Sequence, residues 1–142
     1  MKTYLVLGMM SGTSLDGLDL AYCHFSKKQS QWNYTIEKAV TIPYPKEWKK
    51  ILRELPNKSA LEFVRTDADY GAFLGEQAIK FIENERFNPD FLSSHGHTIF
   101  HQPDLGYTCQ IGSGASIAAR SGFDVVCDFR SLDVAYAGQG AP

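Results

Sequence analysis

Hydrophobic positions in the first forty residues follow the period of β-strands. Residues 4–9 form a continuous apolar run that ends at the turn residues 11–14, which predicts a buried strand. Apolar positions then alternate with others over residues 18–25, and residues 32–36 repeat that period after a polar loop. Because loops this short join antiparallel neighbours, the pattern predicts a three-stranded antiparallel meander.

The period changes to that of helices after Pro45. Apolar residues at helical spacing over residues 48–55 predict a first helix, with Pro45 in its first turn. Ser59 and Glu62 have the spacing of a capping box, and the apolar stripe behind them predicts a longer helix that reaches Ile82.

Two glycines within that long stretch, Gly71 and Gly75, indicate either a close packing contact or a break. Beyond it the pattern predicts three short strands and one helix that Gly122 closes: residues 91–94, 108–111 and 125–129, and residues 115–120. A leading meander followed by alternating strands and helices implies an α/β fold with a mixed sheet and helices packed on it.

Composition limits the class of protein. The 142 residues are 44% hydrophobic and 21% charged, which is typical of one soluble globular domain covering residues 1–142. The net charge of −2, without a basic cluster, argues against nucleic acid as a partner. No apolar run approaches the roughly 20 residues of a membrane span. Cys23, Cys109 and Cys127 are predicted to be reduced core residues, which indicates a cytoplasmic protein.

The turn after the first strand is the richest candidate site. Gly12 leaves room for backbone N–H groups to approach a ligand, Thr13 and Ser14 carry hydroxyl donors, and Asp16 is suited to hold Mg²⁺ through water. No lysine follows the glycines, so the turn is not a Walker loop. A hairpin loop whose serine and aspartate bind their own backbone is an equally good interpretation.

Three histidines form a second candidate site. His95 and His97 lie two residues apart and would share one side of an extended segment, and His101 follows. A zinc hydrolase is one hypothesis for such a set. Hydrogen bonds from these rings to a polar ligand or to loop backbone are favoured, because three histidines without a nearby acid are a loose metal pattern.

Asp128 and Arg130 form a third candidate site at the end of a valine-rich strand. Ligands of sheets with parallel strands collect beyond the carboxyl ends of those strands, where these two side chains would project. A structural ion pair between them is the alternative.

Read in order, four blocks of sequence closely resemble the anhydro-N-acetylmuramic acid kinase family. The blocks are GMMSGTSLDGLD from residue 8, SHGHTIFHQP from residue 94, QIG from residue 110, and DFRSLDVAYAGQGAP from residue 128. Four blocks in the right order are more specific than one glycine loop. The resemblance implies an α/β actin-like ATPase domain of the ribonuclease H-like type, related to hexokinase and acetate kinase.

The family resemblance also implies an activity. An enzyme of this family uses ATP, Mg²⁺ and water to open the anhydro ring of anhydro-N-acetylmuramic acid, and it phosphorylates the sugar to N-acetylmuramic acid 6-phosphate during peptidoglycan recycling in the cytoplasm. The residues that match the family's phosphate-binding loop are Ser11, Gly12, Thr13, Ser14, Leu15, Asp16, Gly17, Leu18 and Asp19, with Asp16 near the metal. Those on the sugar side would be His95, His97, Thr98, Asp128 and Arg130, with residues 138–140 near the hinge side.

Two departures from the family pattern matter. His97 stands where the family usually has glutamine, which replaces an amide with a group that titrates near neutral pH. The glycine-rich end, residues 138–142, suggests a cut before a second domain that would carry the adenine pocket and the catalytic base. We therefore expect these 142 residues to be inactive alone, with an exposed apolar docking face that favours self-association. A stand-alone sugar- or phosphate-binding module without catalysis is the alternative.

Overall fold

The computed structural model of the chain describes residues 2–141. Its strands and helices follow one another in this order: β1 (Lys2–Ser11), β2 (Gly17–Lys28), β3 (Gln31–Pro43), α1 (Lys46–Glu54), α2 (Ala60–Glu85), β4 (Phe91–Gln102), β5 (Tyr107–Ile111), α3 (Gly114–Ser121), β6 (Val125–Cys127) and α4 (Ser131–Ala135). Two short 3₁₀ turns, Leu55–Asn57 and Pro103–Leu105, complete the described elements.

One mixed sheet carries all six strands, in the order β3-β2-β1-β4-β5, and β6 also pairs with β4. The meander is confirmed, because β1 runs antiparallel to β2 and β2 antiparallel to β3. β4 then runs parallel to β1, and β6 parallel to β4. This arrangement is the α/β architecture expected of an actin-like ATPase domain.

The core lies between one face of the sheet and helices α1 to α3. Leu7, Leu20 and Leu92 project from three adjacent strands and are fully buried, as are Leu74 of α2 and Ile117 of α3. Burial of each such side chain contributes roughly 1.5–3 kcal/mol to the free energy of folding.

The start and the continuity of α2 follow from named residues. Ser59 Oγ accepts a hydrogen bond from the Glu62 N–H, and the Glu62 carboxylate accepts one from the Ser59 N–H, so the predicted capping box is confirmed. Gly71 and Gly75 allow a close packing contact, which was one of the two predictions for them. A Cβ on Gly71 would lie 2.6 Å from the Ser113 carbonyl oxygen, and one on Gly75 would lie 2.9 Å from that of Ile117. The helix continues without a break through both.

The opposite face of the sheet, which we call the open face, is apolar and rich in aromatic rings. Its large side chains are Tyr4, Val6, Phe25, Trp32, Tyr34, Ile36, Phe91 and Val126. Trp32, Tyr34 and Ile36 are 46%, 67% and 53% exposed. A groove of about 480 Å³ opens there, and only strand residues line it.

Several predicted bounds differ from the structure. β4 runs on to Gln102, because its second half pairs with β5, whereas the sequence indicated a polar segment there. β6 ends at Cys127, since Asp128 adopts a positive φ of 60° and turns the chain. The short helix α4 has too few turns to show a helical period, and the sequence pattern missed it.

The predicted burial of the cysteines was wrong. Cys23 and Cys109 are half-buried, and Cys127 is exposed because β6 lies at an edge of the sheet. All three are free thiols. Within residues 2–141, no helix has both the length and the apolar character needed to cross a membrane.

Candidate functional site

Parallel strand pairing brings the candidate segments to one edge of the sheet. Ser11, the last residue of β1, lies beside His97 of β4, and Ser94 of β4 lies beside Cys127 at the end of β6. The loop after β1, the histidine segment of β4 and the turn that begins at Asp128 therefore meet where β1 and β6 end. We call this edge the carboxyl edge.

The loop after β1 presents free polar groups to solvent. Thr13, Ser14 and Asp16 are exposed, and no described residue is hydrogen-bonded to their side chains. Leu15 has a φ of 59°, and its N–H donates to the Gly12 carbonyl oxygen at 3.2 Å. The loop is thus a tight turn with exposed hydroxyls and an exposed carboxylate, which suits nucleotide phosphates and a hydrated cation.

Other predicted loop residues have structural contacts. Leu18 is 1% exposed and belongs to the core. A Cβ on Gly17 would clash with the Ile42 carbonyl oxygen, so this glycine allows β2 and β3 to approach. Asp19 accepts a hydrogen bond from the Thr41 hydroxyl across the same pair of strands.

Ser11 and His97 form a buried polar pair beneath the loop. Ser11 Oγ lies 2.8 Å from His97 Nδ1, and the residues are 2% and 4% exposed. The hydroxyls of Tyr44 and Tyr70 lie 2.6 Å apart nearby, and the Tyr70 ring meets the His97 imidazole edge to face. Burial lowers the pKa of His97, and a hydrogen bond with Ser11 partly opposes this effect. The side chains of Ser11 and His97 therefore face the interior, away from the exposed loop.

Arg130 holds two segments together at the carboxyl edge. Its Nε donates to His95 Nε2 at 2.8 Å, and its Nη1 donates to the Gly140 carbonyl oxygen at 2.7 Å. Because His95 Nε2 accepts, the ring proton is on Nδ1, which donates to the Gly96 carbonyl oxygen at 3.0 Å. The Gly140 N–H in turn donates to Asp133 Oδ2 at 2.7 Å, which fixes the glycine-rich segment near the site.

Two alternatives from the sequence do not match these contacts. Asp128 accepts a hydrogen bond from the Ser131 hydroxyl, and no ion pair with Arg130 is among the described contacts. The histidines do not converge either, since His95 pairs with Arg130, His97 with Ser11, and His101 with the Thr108 hydroxyl. Residues 2–141 contain no group of three or more potential metal-ligating side chains, and the zinc hypothesis is not supported.

A cavity of about 210 Å³ opens beside Asp128. Its walls are the middle of β4, strand β5, the loop before α3 and the turn after β6: Ser94, His95, Gly96, Thr108, Cys109, Gln110, Ile111, Gly112, Gly114, Cys127, Asp128 and Ser131. Thr98 lies just outside it, where its hydroxyl accepts a weak hydrogen bond from Gln110 Nε2 at 3.4 Å. Of the five predicted sugar-side residues, His95 and Asp128 line this cavity.

Sequence reasoning missed some residues at this edge. Ser94 begins the second of the four family blocks, and the Gly112-Ser113-Gly114 turn leads into α3, but the sequence pattern predicted no role for either. The glycine spacing beside Gln110 was the available signal, because glycines at a helix start often mark close approach to a ligand.

The sequence of the chain was compared with protein families and with individual known proteins. The sequence model of the anhydro-N-acetylmuramic acid kinase family matches residues 4–142. The chain belongs to this family. A relative named anhydro-N-acetylmuramic acid kinase from Sulfurovum sp. is 36% identical over 96% of the chain, and one from Acaryochloris marina is 38% identical over 96%. A third, from Pseudomonas putida, is 36% identical over 97%.

These relatives are much longer than the chain. The matched region is 39% of the Sulfurovum protein and 38% of the other two. The chain thus spans about two-fifths of the length of the family members it matches.

Proposed function

We propose that these residues form the N-terminal domain of an ATP-dependent anhydro-N-acetylmuramic acid kinase of peptidoglycan recycling. The observation that carries the proposal is the convergence at the carboxyl edge. The exposed loop follows Ser11, which pairs with His97 of β4, and the preceding residues of β4 line a cavity that also contains Asp128. The family match over residues 4–142 supports the same activity.

In this proposal the loop after β1 holds the phosphates of the nucleotide. The hydroxyls of Thr13 and Ser14 and the loop N–H groups donate to phosphate oxygens, and the Asp16 carboxylate binds Mg²⁺ through water. Bound ATP would supply the transferable phosphoryl group, and Mg²⁺ would offset its charge. The protein's part in such a reaction is chiefly to position groups and to stabilise charge.

The sugar would bind on the other side of the same edge. The Asp128 carboxylate offers an acceptor for sugar hydroxyls, His95 lines the same cavity, and Thr98 contacts Gln110, which also lines it. Arg130 acts by holding His95 in one tautomer and by fixing the segment that ends at Gly140. His97 lies in the interior and supports the start of the loop through its contact with Ser11.

The remainder of a longer protein would complete the enzyme. The relatives are more than twice the length of this chain, and the open face exposes Trp32, Tyr34 and Ile36 on a sheet with parallel strands. Large apolar side chains grouped on one exposed face usually mark an interaction surface. We infer that the additional chain supplies the catalytic base and covers the open face, so that residues 1–142 alone are inactive. The predicted compartment is the cytoplasm.

The proposal is tested on the natural protein that contains these residues. ADP release should require ATP, Mg²⁺ and anhydro-N-acetylmuramic acid together. Thr13→Val and Asp16→Asn should each lower kcat by about 10²-fold or more, since each removes a group that would stabilise transferred charge. Asp104→Asn is the matched control, because Asp104 is exposed on the 3₁₀ turn after β4 and should leave kcat unchanged.

Absence of any sugar-dependent ADP release would refute the kinase assignment. If the sugar still bound the natural protein, a binding module without catalysis would then be the better interpretation.

A further inference from the structure

We propose that the cavity beside Asp128 binds the acetamido group of the amino sugar, held by the N-terminus of α3 and the hydroxyl of Ser94. This inference rests on the proposed function and adds a subsite to it. The cavity measures about 210 Å³, below the roughly 300–1,000 Å³ typical of whole-ligand pockets. It therefore suits one substituent of a sugar and not the complete ring.

An acetamido group needs hydrogen-bond donors for its carbonyl oxygen, and the start of α3 supplies them. The first N–H groups of a helix have no partner inside the helix, and they carry the positive end of its dipole. Ser113 Oγ accepts from the Ser116 N–H, while no described residue accepts from the N–H of Gly114 or Ala115. Gly114 lines the cavity, and in this proposal its N–H donates to the ligand.

Ser94 is the second and independent observation. It is 1% exposed and lines the cavity, and its hydroxyl is the buried side-chain polar atom without a hydrogen-bond partner among residues 2–141. A buried hydroxyl left unpaired is destabilising, so such groups usually have a ligand or water as partner. An amide carbonyl oxygen in the cavity would accept from Ser94 Oγ and from the N-terminus of α3.

The other walls match the rest of an acetamido group. Asp128 supplies an acceptor for the amide N–H, and the side chains of Cys109, Cys127 and Ile111 supply apolar contact for the methyl group. Burial raises the pKa of the Cys109 thiol, with Asp67 and Asp128 adding to the effect, so that thiol stays uncharged at neutral pH.

The same walls disfavour an anion. The Asp128 carboxylate faces the cavity and would repel a carboxylate or phosphate, and no lysine or arginine lines it. Arg130 lies nearby, but its guanidinium donates to His95 and to Gly140. A neutral group with one acceptor, one donor and a methyl end therefore fits best.

The test is an NMR titration of the ¹⁵N-labelled 142-residue chain with N-acetylglucosamine, with glucosamine and acetate as matched probes. Saturable shifts of the amide signals of Ser94, Gly114 and Ala115 are expected with N-acetylglucosamine. The dissociation constant should be on the order of 1–100 mM, because only a small group is bound. Glucosamine, which lacks the acetyl group, should shift the same signals at least about tenfold less at equal concentration.

Variants of β4 and α3 separate binding from folding. Ser94→Ala should weaken N-acetylglucosamine binding about tenfold, while the urea midpoint stays the same or rises, because the lost hydroxyl has no partner in the chain. Ser93→Ala is the matched control, since Ser93 lies on the open face of the same strand. Gly114→Ala should abolish binding, because its Cβ would lie 2.6 Å from Cys127 Sγ and would displace that thiol.

Equal shifts with glucosamine, stronger shifts with acetate, or no saturable shift at these three amides would each overturn the subsite. Shifts confined to Thr98 and the Asp128 turn would overturn it and leave the proposed sugar kinase in place. Shifts at α3 together with no sugar-dependent ADP release by the natural protein would support the subsite and refute the kinase.

Discussion

Ser11 and His97 join the first strand of the meander to the fourth strand, with Ser11 Oγ 2.8 Å from His97 Nδ1 in the interior. The contact lies at the last residue of β1, directly before the exposed loop of Thr13 and Ser14. It fixes the point from which that loop leaves the sheet. A buried neutral imidazole therefore supports a loop whose own side chains are free.

This pair predicts that the stability of the chain depends on pH. Burial lowers the pKa of His97 in the folded chain below its value of about 6.5 in unfolded chains. The unfolded chain then binds more protons as pH falls, so stability is complete above about pH 6.5 and is lost as pH falls through the folded pKa. Each unit of pKa difference corresponds to about 1.4 kcal/mol.

Urea unfolding at pH 7.5 and 5.5 measures this dependence. His97→Gln should flatten it, since an amide still pairs with Ser11 but does not titrate. His101→Gln should leave it unchanged, because His101 is exposed and bonded to Thr108. An equal loss of stability in the native chain and in His97→Gln would contradict the assignment to His97.

The fold was accessible to sequence reasoning because local patterns and packing agree over most of the chain. The alternation in β2 placed Leu20 on the buried face and Cys23 on the other, and the pairing with β1 keeps that division. The length of β4 was not accessible, because its second half depends on pairing with β5 and not on its own polar sequence. The exposure of Cys127 likewise depends on the position of β6 at a sheet edge.

The site was only partly accessible for a related reason. Residue types located the loop and the histidine segment. The role of each side chain, however, depends on whether it faces the interior or solvent, and residue type does not decide this. Ser11 and Thr13 are both hydroxyl residues of one turn, yet Ser11 faces the interior and Thr13 faces solvent. Ser94 gave no chemical signal in the sequence, because its importance comes from a missing hydrogen-bond partner.

A second prediction concerns the packing of α2 on the turn before α3. Replacement of glycine by alanine inside a helix normally stabilises it by up to about 1 kcal/mol. Gly71→Ala should instead destabilise the chain by about 1–3 kcal/mol, because its Cβ would lie 2.6 Å from the backbone oxygen of Ser113. Val64→Ala, at an exposed position of the same helix, is the control and should change stability by less than about 0.5 kcal/mol. A urea midpoint that is higher in Gly71→Ala than in the native chain would contradict this prediction, because it would show that the backbone near Ser113 moves to accept the Cβ without loss of stability.

The open face carries the last prediction. Tyr4 stacks on Trp32 with ring centroids 6.1 Å apart, and Phe25 packs beside Tyr34 at 6.0 Å, so the exposed rings form one continuous surface. Soluble monomers rarely expose an apolar patch of this kind unless it is an interface. We expect this surface to be covered by the additional chain of a full-length family member, and to make the isolated 142 residues associate with one another.

Sedimentation of the isolated chain at rising concentration tests the role of this surface. The native chain should form dimers or larger species, and the double variant Trp32→Lys/Ile36→Lys should remain monomeric, because two charges would lose hydration in any apolar contact there. Leu61→Lys/Val64→Lys is the matched control, since these residues are 80% and 67% exposed on α2 and lie away from the open face. Association that persists in the open-face variant, or disappears equally in the α2 variant, would assign the interface to another surface. A native chain that stays monomeric up to about 1 mM, where contacts worth only about 4 kcal/mol would be detected, would show that the open face does not drive self-association.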